Sequence, residues 1–413
     1  MTTPFLIAGA GIGGLSTALA LAQSGIASTV VERAPAIREV GAGLQLSPNA
    51  FRAFSRLGVS EAMDQISFRP RALRLIDSQS AQELSRQTLG APFEARFIHP
   101  YRVAYRADVQ QVLLDAVRTL PELVTVRLGH GVKDYRQDDS GVIAILDSGE
   151  ELRGEALVGA DGLWSDVRAR MLGRAPPASE GHIAYRALLS ADEVPPGLLT
   201  DEVQVWVGPG HHLVCYRLRG GRLFNIVAIF ESARDLKGWD TAGDPLELER
   251  GFEGACDVVL GLIRQIRDWR MWTLHDREPA PRWADGRVVL LGDAAHPMLP
   301  YLAQGACMAI EDAVRLADEV AADLTNLPRA FVSYQAARLP RTTSVQQAAR
   351  ETGVVNHARG EARLRRNEGL AKREADDYEA IAWLFAGEAA RPDQARGSEI
   401  GVFGRHVEAP ASL

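Results

Sequence analysis

A strand, a glycine-rich turn and a helix open the chain and constrain its fold more than any other stretch. Residues 5–8 form a short apolar run that predicts a strand, and residues 15–22 repeat apolar side chains at helical spacing. Between them Gly9, Gly11 and Gly14 follow the pattern G-x-G-x-x-G. In this pattern the glycines allow a tight turn, close approach of the backbone to a pyrophosphate, and close packing of helix on strand. The stretch predicts a Rossmann-like α/β unit that binds a nucleotide.

The next predicted strand, at residues 27–31, carries an acidic residue at its end. Glu32 stands there, about 20 residues beyond Gly14, which is where such units place an acid that accepts hydrogen bonds from a ribose. An acid at this position favours a ribose diol and repels a 2′-phosphate. The unit therefore predicts a bound dinucleotide, and both NAD and FAD are compatible with it.

A second strand, loop and helix follow at residues 287–313. Residues 287–291 are β-branched and apolar, as a buried parallel strand should be, and helical spacing resumes from Gly305. The loop at 297–304 would then lie at the carboxyl end of a strand and the amino end of a helix, where electron-rich ligand atoms are favoured. Asp293 would be placed to accept hydrogen bonds from a sugar or polyol. The alternative is that Asp293 caps a helix and the loop only connects two elements.

Three further polar residues adjoin predicted strands or helices. Gln45, in a glycine-rich loop at residues 38–49, either faces a site or is solvated. Arg106 precedes an amphipathic helix and either meets a phosphate or a flavin edge, or forms a surface ion pair. Asp161 follows a predicted strand, and Ser165 can cap the helix that comes next.

Residues 182–230 change in character and predict a run of strands, with Gly-Gly at 220–221 marking a hairpin. This indicates a separate antiparallel sheet that covers a ligand. His212, Val214 and Tyr216 share one face of the third strand by the two-residue period. If that face looks inward, an imidazole and a phenol face a cavity together. The alternatives are a hydrogen-bonded core histidine and a tyrosine that only packs.

Composition limits the remaining possibilities. The 413 residues favour two lobes, and 46 basic against 53 acidic side chains argue against a nucleic-acid partner. Three scattered cysteines, Cys215, Cys256 and Cys307, suit neither a disulfide framework nor a thiolate metal site, and no metal is expected. The absence of a basic leader and of a long apolar run predicts a cytoplasmic protein without a membrane span. A charged, arginine-rich helix near residues 362–385 is expected to be solvated or to contact another subunit, and the last dozen residues to fray.

Three motifs stand in order, and their combination is more specific than any one of them. They are GAGIGG at 9–14, GADGLWSDVR at 159–168 and LLGDAAHPMLPYLAQGACMAIEDA at 290–313. Together they resemble the class A FAD-dependent aromatic hydroxylases over nearly the whole chain. Within that class the chain is most similar to salicylate, 3-hydroxybenzoate and 6-hydroxynicotinate hydroxylases, through EVGAGLQLSPNA, YRAD, AYRALL and HHLVCYRLRGGRLFNIVA.

The resemblance implies an α/β fold with a Rossmann-like FAD-binding domain of the glutathione-reductase type, an inserted antiparallel-sheet substrate domain and C-terminal helices. The expected domains are a discontinuous FAD-binding domain at 1–70, 100–180 and 278–340, a substrate-binding domain at 71–99 and 181–277, and a C-terminal helical segment with a tail at 341–413.

The resemblance also implies residue roles. Asp161 would belong to a motif linked with both FAD and NAD(P)H. His212 is the first candidate for the base that deprotonates a ring hydroxyl, and Tyr216 and Tyr301 would orient the substrate. The remaining FAD contacts implied are Gly9, Gly11, Gly13 and Gly14 at the pyrophosphate, Glu32 at the adenosine ribose with Arg33 beside it, Gln45, Arg106 at the flavin or its phosphates, Asp293 at the ribityl chain, and Pro300, Gly305 and Ala306 along the isoalloxazine ring.

Two positions depart from close relatives. Similar 3-hydroxybenzoate 6-hydroxylases tend to have Gln where Pro300 stands, which favours a salicylate-like or hydroxypyridine-like substrate. Hydroxynicotinate enzymes carry His in this loop, whereas Tyr301 stands here, which argues against that substrate.

The reaction implied is hydroxylation of a small aromatic acid or phenol. NADH, rather than NADPH, would reduce FAD, and O₂ would form a C4a-hydroperoxyflavin that attacks the ring. The protein would be a monomer or homodimer. One alternative is an oxygenase for a heteroaromatic or polyketide-type phenol; another is a flavin-binding protein without hydroxylase activity. A halogenase is disfavoured because no WxWxIP sequence occurs.

Overall fold

The computed structural model describes residues 3–37, 42–234 and 241–387, together with two short strands at 400–401 and 404–405. Part of the glycine-rich loop at 38–49 and most of the predicted C-terminal tail lie outside the described residues. No helix in the described part of the chain combines the length and the apolar composition that crossing a membrane requires.

The described strands and helices alternate along the chain as in a mixed α/β protein. The strands are β1 (Phe5–Ala8), β2 (Ser28–Glu32), β3 (Gly43–Leu46), β4 (Ala72–Asp77), β5 (Glu83–Thr88), β6 (Arg102–Tyr105), β7 (Val124–Leu128), β8 (Val132–Asp138), β9 (Gly141–Leu146), β10 (Glu151–Gly154), β11 (Leu157–Gly159), β12 (Ala178–Ser190), β13 (Val203–Gly208), β14 (His211–Leu218), β15 (Leu223–Glu231), β16 (Thr241–Ala242), β17 (Arg270–Asp276), β18 (Ala284–Asp285), β19 (Val288–Leu290), β20 (Ile400–Gly401) and β21 (Gly404–Arg405). The helices are α1 (Ile12–Gln23), α2 (Pro48–Arg56), α3 (Ser60–Ile66), α4 (Ala91–Phe97), α5 (Arg106–Arg118), α6 (Asp166–Leu172), α7 (Pro245–Gly251), α8 (Asp257–Gln265), α9 (Gly305–Ala322), α10 (Leu327–Asn356), α11 (Gly360–Ala371) and α12 (Glu379–Phe385), with 3₁₀ turns at Ala191–Glu193, Arg219–Gly221, Gly292–Ala294 and Pro300–Leu302.

A six-stranded sheet holds the nucleotide-type unit. Its order is β18-β19-β11-β1-β2-β7, and the strands from β19 to β7 run parallel. The first strand, the glycine turn, the helix and the second strand form as the sequence predicts, and β1 and α1 are almost wholly buried. The carboxyl ends of β1 and β19, which carry the candidate loops, point to the same edge because both strands run parallel to β11, which lies between them.

A small antiparallel meander, in the order β10-β9-β8, adjoins this sheet. The sequence predicts strands at 123–126 and 141–146, the second of which is β9, and it indicates a polar stretch between them, whereas β8 occupies half of that stretch. Its side chains explain the error, since Val132 and Tyr135 are buried while the residues between them are exposed. A strand with so few apolar side chains carries a weak periodic signal.

The strands at 182–230 belong to an eight-stranded sheet in the order β16-β17-β12-β15-β14-β13-β4-β5. It is not purely antiparallel as predicted, because β4 and β13 pair in parallel. A parallel pair needs a long connection, and here the chain between the two strands forms β7 and β11 of the first sheet and the whole meander. The predicted hairpin at 220–221 is confirmed between β14 and β15.

The two faces of this sheet differ, and the alternation in β14 shows how. Leu213 and Cys215 pack with Phe230 and the helices α7 and α8 in one apolar cluster. His212 and Tyr216, one residue out of phase, point to the opposite face. The eight-stranded sheet is therefore covered by helices on one side and faces a cavity on the other.

The C-terminal helices are more firmly attached than the sequence suggests. α10 runs through the expected boundary at 340–341 as one helix, with Pro340 inside it. α11 carries Arg363 and Arg366, which were expected to be solvated or to contact another subunit, yet both reach the fully buried Asp77 of β4. Although burial alone would raise it, hydrogen bonds from Arg363 and Asn367 hold the pKa of Asp77 below its ordinary value. Arg363 and Arg366 are therefore an internal anchor, whereas Arg365 of the same helix is exposed and pairs with Glu361.

Candidate active site

One cavity of about 480 Å³ extends from the glycine turn after β1 to the open face of the eight-stranded sheet. It brings together most of the residues that the sequence singles out. Those on its lining are Gly11, Gly13, Gln45, Arg106, His212, Tyr216, Asp293, Pro300, Tyr301, Gly305 and Ala306. Five other residues that the sequence singles out are not on this lining. They are Gly9, Gly14, Glu32, Arg33 and Asp161.

The glycine turn leaves no room for a side chain at Gly9 or Gly14. A Cβ at Gly14 would lie 1.9 Å from the carbonyl oxygen of Gly9, and one at Gly9 would lie 2.5 Å from the oxygen of Ala160. Gly9 also has a φ of 99°, in the left-handed region that favours glycine. Gly11 differs, since a Cβ there would meet no atom within 4 Å and would project into open space. This geometry fits a pyrophosphate lying against the backbone of Gly11 and Gly13.

Glu32 braces this turn. Its carboxylate accepts hydrogen bonds from the backbone N–H of Ala10, at 2.8 Å, and of Ala34, at 2.9 Å. Each oxygen keeps a second lone pair, so the carboxylate can still accept a ribose hydroxyl. Arg33 beside it is exposed.

Asp161 acts on its own loop. Its carboxylate accepts the Ser165 hydroxyl and the backbone N–H of Asp166, at 2.9 Å, at the start of α6. Burial raises the pKa of Asp161. The neighbours Gly162 and Trp164 line the cavity instead, so Asp161 shapes the loop that contacts it.

The loop after β19 enters the cavity ahead of α9. Asp293 lies in the 3₁₀ turn after the strand, and its Oδ1 would be 3.8 Å from a Cβ at Gly305, the first residue of α9. Asp293, Pro300 and Gly305 all face the cavity at the amino end of this long helix. An acceptor for sugar hydroxyls and a positive helix end thus lie side by side.

A buried ion network, which no local sequence pattern predicts, lies behind this loop. Arg338 of α10 is wholly buried and donates to Asp312 at 2.6 Å and to Glu311 at 2.5 Å, both on α9. Asp312 also accepts the backbone N–H of Gly292 at 3.2 Å. Although burial alone would raise it, Arg341 and Arg338 hold the pKa of Glu311 well below its ordinary value. The network fixes the loop because it joins its first residue to two helices.

His212 and Tyr216 face the cavity from β14. His212 is 2% exposed, and its Nδ1 shares a 2.7 Å hydrogen bond with Nε2 of His357. Burial, with His211 and His182 nearby, lowers the pKa of His212 to about 3, so the ring is neutral at ordinary pH. Burial also raises the pKa of Tyr216, which therefore remains a phenol.

Tyr301 lies between these groups and the surface. Its hydroxyl shares a 2.6 Å hydrogen bond with Nδ1 of His182, and its ring centroid is 5.4 Å from that of His212. A Cβ at Gly353 of α10 would lie 2.6 Å from the Tyr301 ring, so this glycine makes room for it. Burial raises the pKa of Tyr301.

Gln45 and Arg106 lie where the two sheets meet. Gln45 accepts the Tyr101 hydroxyl at 2.5 Å, which holds its side chain at the cavity rather than in solvent. Arg106 begins α5 and lines the same cavity. The backbone N–H of Gly43 donates to Asn225 of β15 at 2.8 Å and so ties this side of the cavity to the sheet.

Sequence reasoning missed the histidines that surround His212. His182 stands in a recognised strand and His357 follows a predicted helix, but no local pattern shows that either reaches His212. Their contacts join parts of the chain far apart in sequence, and a single chain carries no signal for them.

A family model described as "FAD binding domain" matches residues 2–349. The chain is 41% identical over 393 residues to 3-hydroxybenzoate 6-hydroxylase 1 from Aquipseudomonas alcaligenes, covering 94% of this chain and 98% of that one. It is 39% identical over 383 residues to 3-hydroxybenzoate 6-hydroxylase from Polaromonas naphthalenivorans, covering 92% and 95%.

Solved structures agree with these relatives. A crystal structure of Klebsiella pneumoniae HpxO with FAD and uric acid matches with a TM-score of 0.79 and 27% identity, covering 96% of this chain and 97% of that one. The similarity therefore extends over the strands of both sheets.

Proposed function

The chain belongs to the FAD-dependent aromatic hydroxylases, and we propose that it hydroxylates a benzoate carrying one ring hydroxyl group. The observation that supports this substrate is the set of hydrogen-bonding side chains on one side of the cavity. His212, Tyr216 and Tyr301 line one cavity with the glycine turn and the Asp293 loop. A small ring acid held there would lie between neutral hydrogen-bonding groups on one side and the cofactor loops on the other.

We also propose where FAD lies. Gly11 and Gly13 would contact its pyrophosphate, Glu32 its adenosine ribose, and Asp293 its ribityl chain. Pro300, Gly305 and Ala306 would follow the isoalloxazine ring, with Gln45 and Arg106 on the facing side. In this arrangement the six-stranded sheet, its helices and the meander form the FAD-binding domain, and the eight-stranded sheet forms an inserted substrate domain. FAD, reduced by a nicotinamide cofactor, supplies the O₂ activation that the side chains cannot.

The protein's own contribution is to bind, orient and deprotonate the ring. A phenolate reacts far more readily with an electrophilic oxygen than a phenol does, so removal of the hydroxyl proton is the main task. His212 is neutral and can accept that proton. Tyr216 and Tyr301 keep their own protons and can therefore donate hydrogen bonds to a carboxylate or an oxyanion.

The first candidate substrate is 3-hydroxybenzoate, because two of the most similar relatives bear that name. Salicylate is the second candidate, and Pro300 favours it. A glutamine at this position could hydrogen-bond a substrate group, whereas proline has neither a side-chain donor nor a backbone N–H.

The test is a flavin spectrum of the purified protein followed by NADH and NADPH oxidation with 3-hydroxybenzoate, salicylate, 4-hydroxybenzoate and 6-hydroxynicotinate. Hydrogen peroxide is measured in parallel, and products are identified by mass spectrometry and comparison with standards. We expect one hydroxylated product in near-equal amount to the reductant consumed, with NADH the better reductant. Protein that carries FAD and consumes reductant, yet releases only peroxide with every acid, would contradict the proposal.

A further inference from the structure

We propose that His357 relays the substrate's hydroxyl proton from His212 towards the protein surface at Glu231. The proposal rests on the proposed function, because it assumes that a ring hydroxyl is bound against His212. It assigns a task to a residue outside the cavity lining, and it explains how a buried base can be used repeatedly.

The first step of the path is a direct hydrogen bond. His212 faces the cavity and shares the 2.7 Å bond between its Nδ1 and Nε2 of His357. The other ring nitrogen of His212, Nε2, is left to the cavity, where a substrate hydroxyl could reach it. His357 is 6% exposed, follows the last residue of α10, and makes no hydrogen bond through Nδ1 with any described residue. Buried polar groups are normally hydrogen-bonded, so an ordered water molecule is the expected partner of this ring nitrogen.

The second step leads to the surface. A ring nitrogen of His182, a ring nitrogen of His357 and a carboxylate oxygen of Glu231 all lie within 4.8 Å of one another. One water molecule can bridge such groups, because two hydrogen bonds of about 2.8 Å each span this distance. The Glu231 side chain is 49% exposed and pairs with the exposed Arg359 at 2.7 Å. A proton that reaches Glu231 is therefore at the solvent.

The charges around His357 disfavour storage of a proton inside. The titratable groups whose charge acts on it are His182 on β12, His211 and His212 on β14, and Arg359 beyond α10. Among the described residues, Glu231 is the carboxylate close to it, and the Tyr301 ring lies 5.9 Å from its ring. Burial, followed by the neighbouring histidines, lowers the pKa of His357 below its ordinary value. An imidazolium at His212 or His357 would be unfavourable, so a proton taken up at one nitrogen is passed on from the other.

The transfer balances without any other reagent. The substrate O–H bond breaks as a proton joins Nε2 of His212, whose Nδ1 proton moves to Nε2 of His357. His357 then gives its Nδ1 proton through water to Glu231 or to solvent. Both rings stay neutral and each changes tautomer. Return of a proton to the product oxygen along the same path restores the original tautomers.

A second branch joins the same exit. The hydroxyl of Tyr301, on the cavity lining, bonds Nδ1 of His182, whose ring lies 4.8 Å from that of His357. His212 and Tyr301, both on the cavity lining, thus converge on one group of histidines.

Two variants of His357 separate relay from support. His357→Gln keeps an amide at the position of Nε2, so it can hydrogen-bond His212 and hold it in place, but it cannot pass a proton on. His357→Ala leaves a space that added imidazole can enter. The matched control is His211→Gln. His211 is buried and precedes His212 on β14, but it faces away from the cavity and contacts Ser78.

The experiment mixes FAD-loaded protein with 3-hydroxybenzoate in weakly buffered solution, without reductant, and follows phenolate absorbance and proton release with an indicator dye. We expect both rates to fall at least about 100-fold in His357→Gln, which is the lower end of the usual size of acid–base contributions. Imidazole should restore the rate of phenolate formation in His357→Ala in proportion to its concentration, and it should leave the wild type and His211→Gln unchanged; this rescue is followed by phenolate absorbance alone, because imidazole buffers the solution.

The outcomes that overturn the relay differ from those that overturn the proposed function. Proton release in His357→Gln at the wild-type rate, or binding to the wild type without proton release, overturns the relay. Failure of imidazole to restore His357→Ala, when His357→Gln is also slow, assigns His357 a supporting role instead. Absence of any hydroxylated product from the wild type overturns the proposed function, and the proton measurement does not depend on that result.

Discussion

Replacement of Arg338 by Met should destabilise the protein strongly, because it removes the cation at the centre of the buried ion network. The Arg338 guanidinium is 0% exposed, and it donates to Asp312, Glu311 and the carbonyl oxygen of Met308. Methionine keeps an unbranched stem but carries no charge. Removal of one partner of a buried pair typically costs about 3–5 kcal/mol, since the remaining charge stays buried.

The remaining contacts decide where in this range the change falls. Glu311 keeps Arg341, at 2.8 Å, and Asn49, at 2.7 Å. Asp312 keeps His296, at 2.5 Å, and the N–H of Gly292. Because neither carboxylate is left without a donor, we expect the lower end, a loss of about 3 kcal/mol in the free energy of unfolding.

Urea unfolding at saturating FAD, followed by circular dichroism, measures this loss. Arg365→Met is the matched control, since Arg365 is 60% exposed and pairs with Glu361 one helical turn away. An exposed pair of this kind contributes about 0.5 kcal/mol or less. A loss below about 1 kcal/mol in Arg338→Met, or equal losses in the two variants, would refute the reasoning that burial sets the size of the effect.

Three further changes test other parts of the molecule. Gly14→Ala places a Cβ 1.9 Å from the Gly9 carbonyl oxygen, so the protein should purify with little flavin absorbance, whereas Gly261→Ala, where a Cβ meets nothing within 4 Å, should keep its FAD. Pro300→Gln should raise kcat/KM for 3-hydroxybenzoate relative to salicylate by about fivefold to tenfold, the value of one hydrogen bond, and an unchanged ratio would remove residue 300 from substrate choice. The pKa of Asp77 is held low in the folded state, so the stability that it adds is full above about pH 5 and lost as the pH falls below about 4. Asp77→Asn should therefore be less stable than the wild type at pH 7, and the difference should shrink at pH 3; an equal difference at both pH values would contradict this assignment.

Local patterns were enough to predict much of the fold. The turn at Gly9–Gly14 needs glycine for steric reasons that act within a few residues, and the alternation that places His212 and Tyr216 on one face follows from strand geometry. The strand and helix around Asp293 carry equally local signals. These elements hold one edge of the first sheet and one face of the second, so the position of the cavity could be foreseen.

The supporting contacts could not be foreseen, because they depend on pairs far apart in sequence. Arg363 carries the same charge and helical spacing whether it faces solvent or the buried Asp77. His357 looks like any residue that ends a helix until β14 is placed beside it. The parallel pairing of β4 with β13 is set by how the chain returns to the sheet, and the composition of either strand does not encode it.

The thirty residues of α10 set the spacing between the two halves of the active site. Arg338 fixes the helix to the loop after β19, Gly353 receives Tyr301, and His357 reaches His212. Arg338 and His357 are about 28 Å apart along the helix axis at 1.5 Å per residue. The length of the helix therefore sets the relative position of Arg338 and His357. One residue inserted between them would turn the far end by about 100° and advance it by about 1.5 Å. Such an insertion would disconnect His357 from His212 without replacing any residue that lines the cavity.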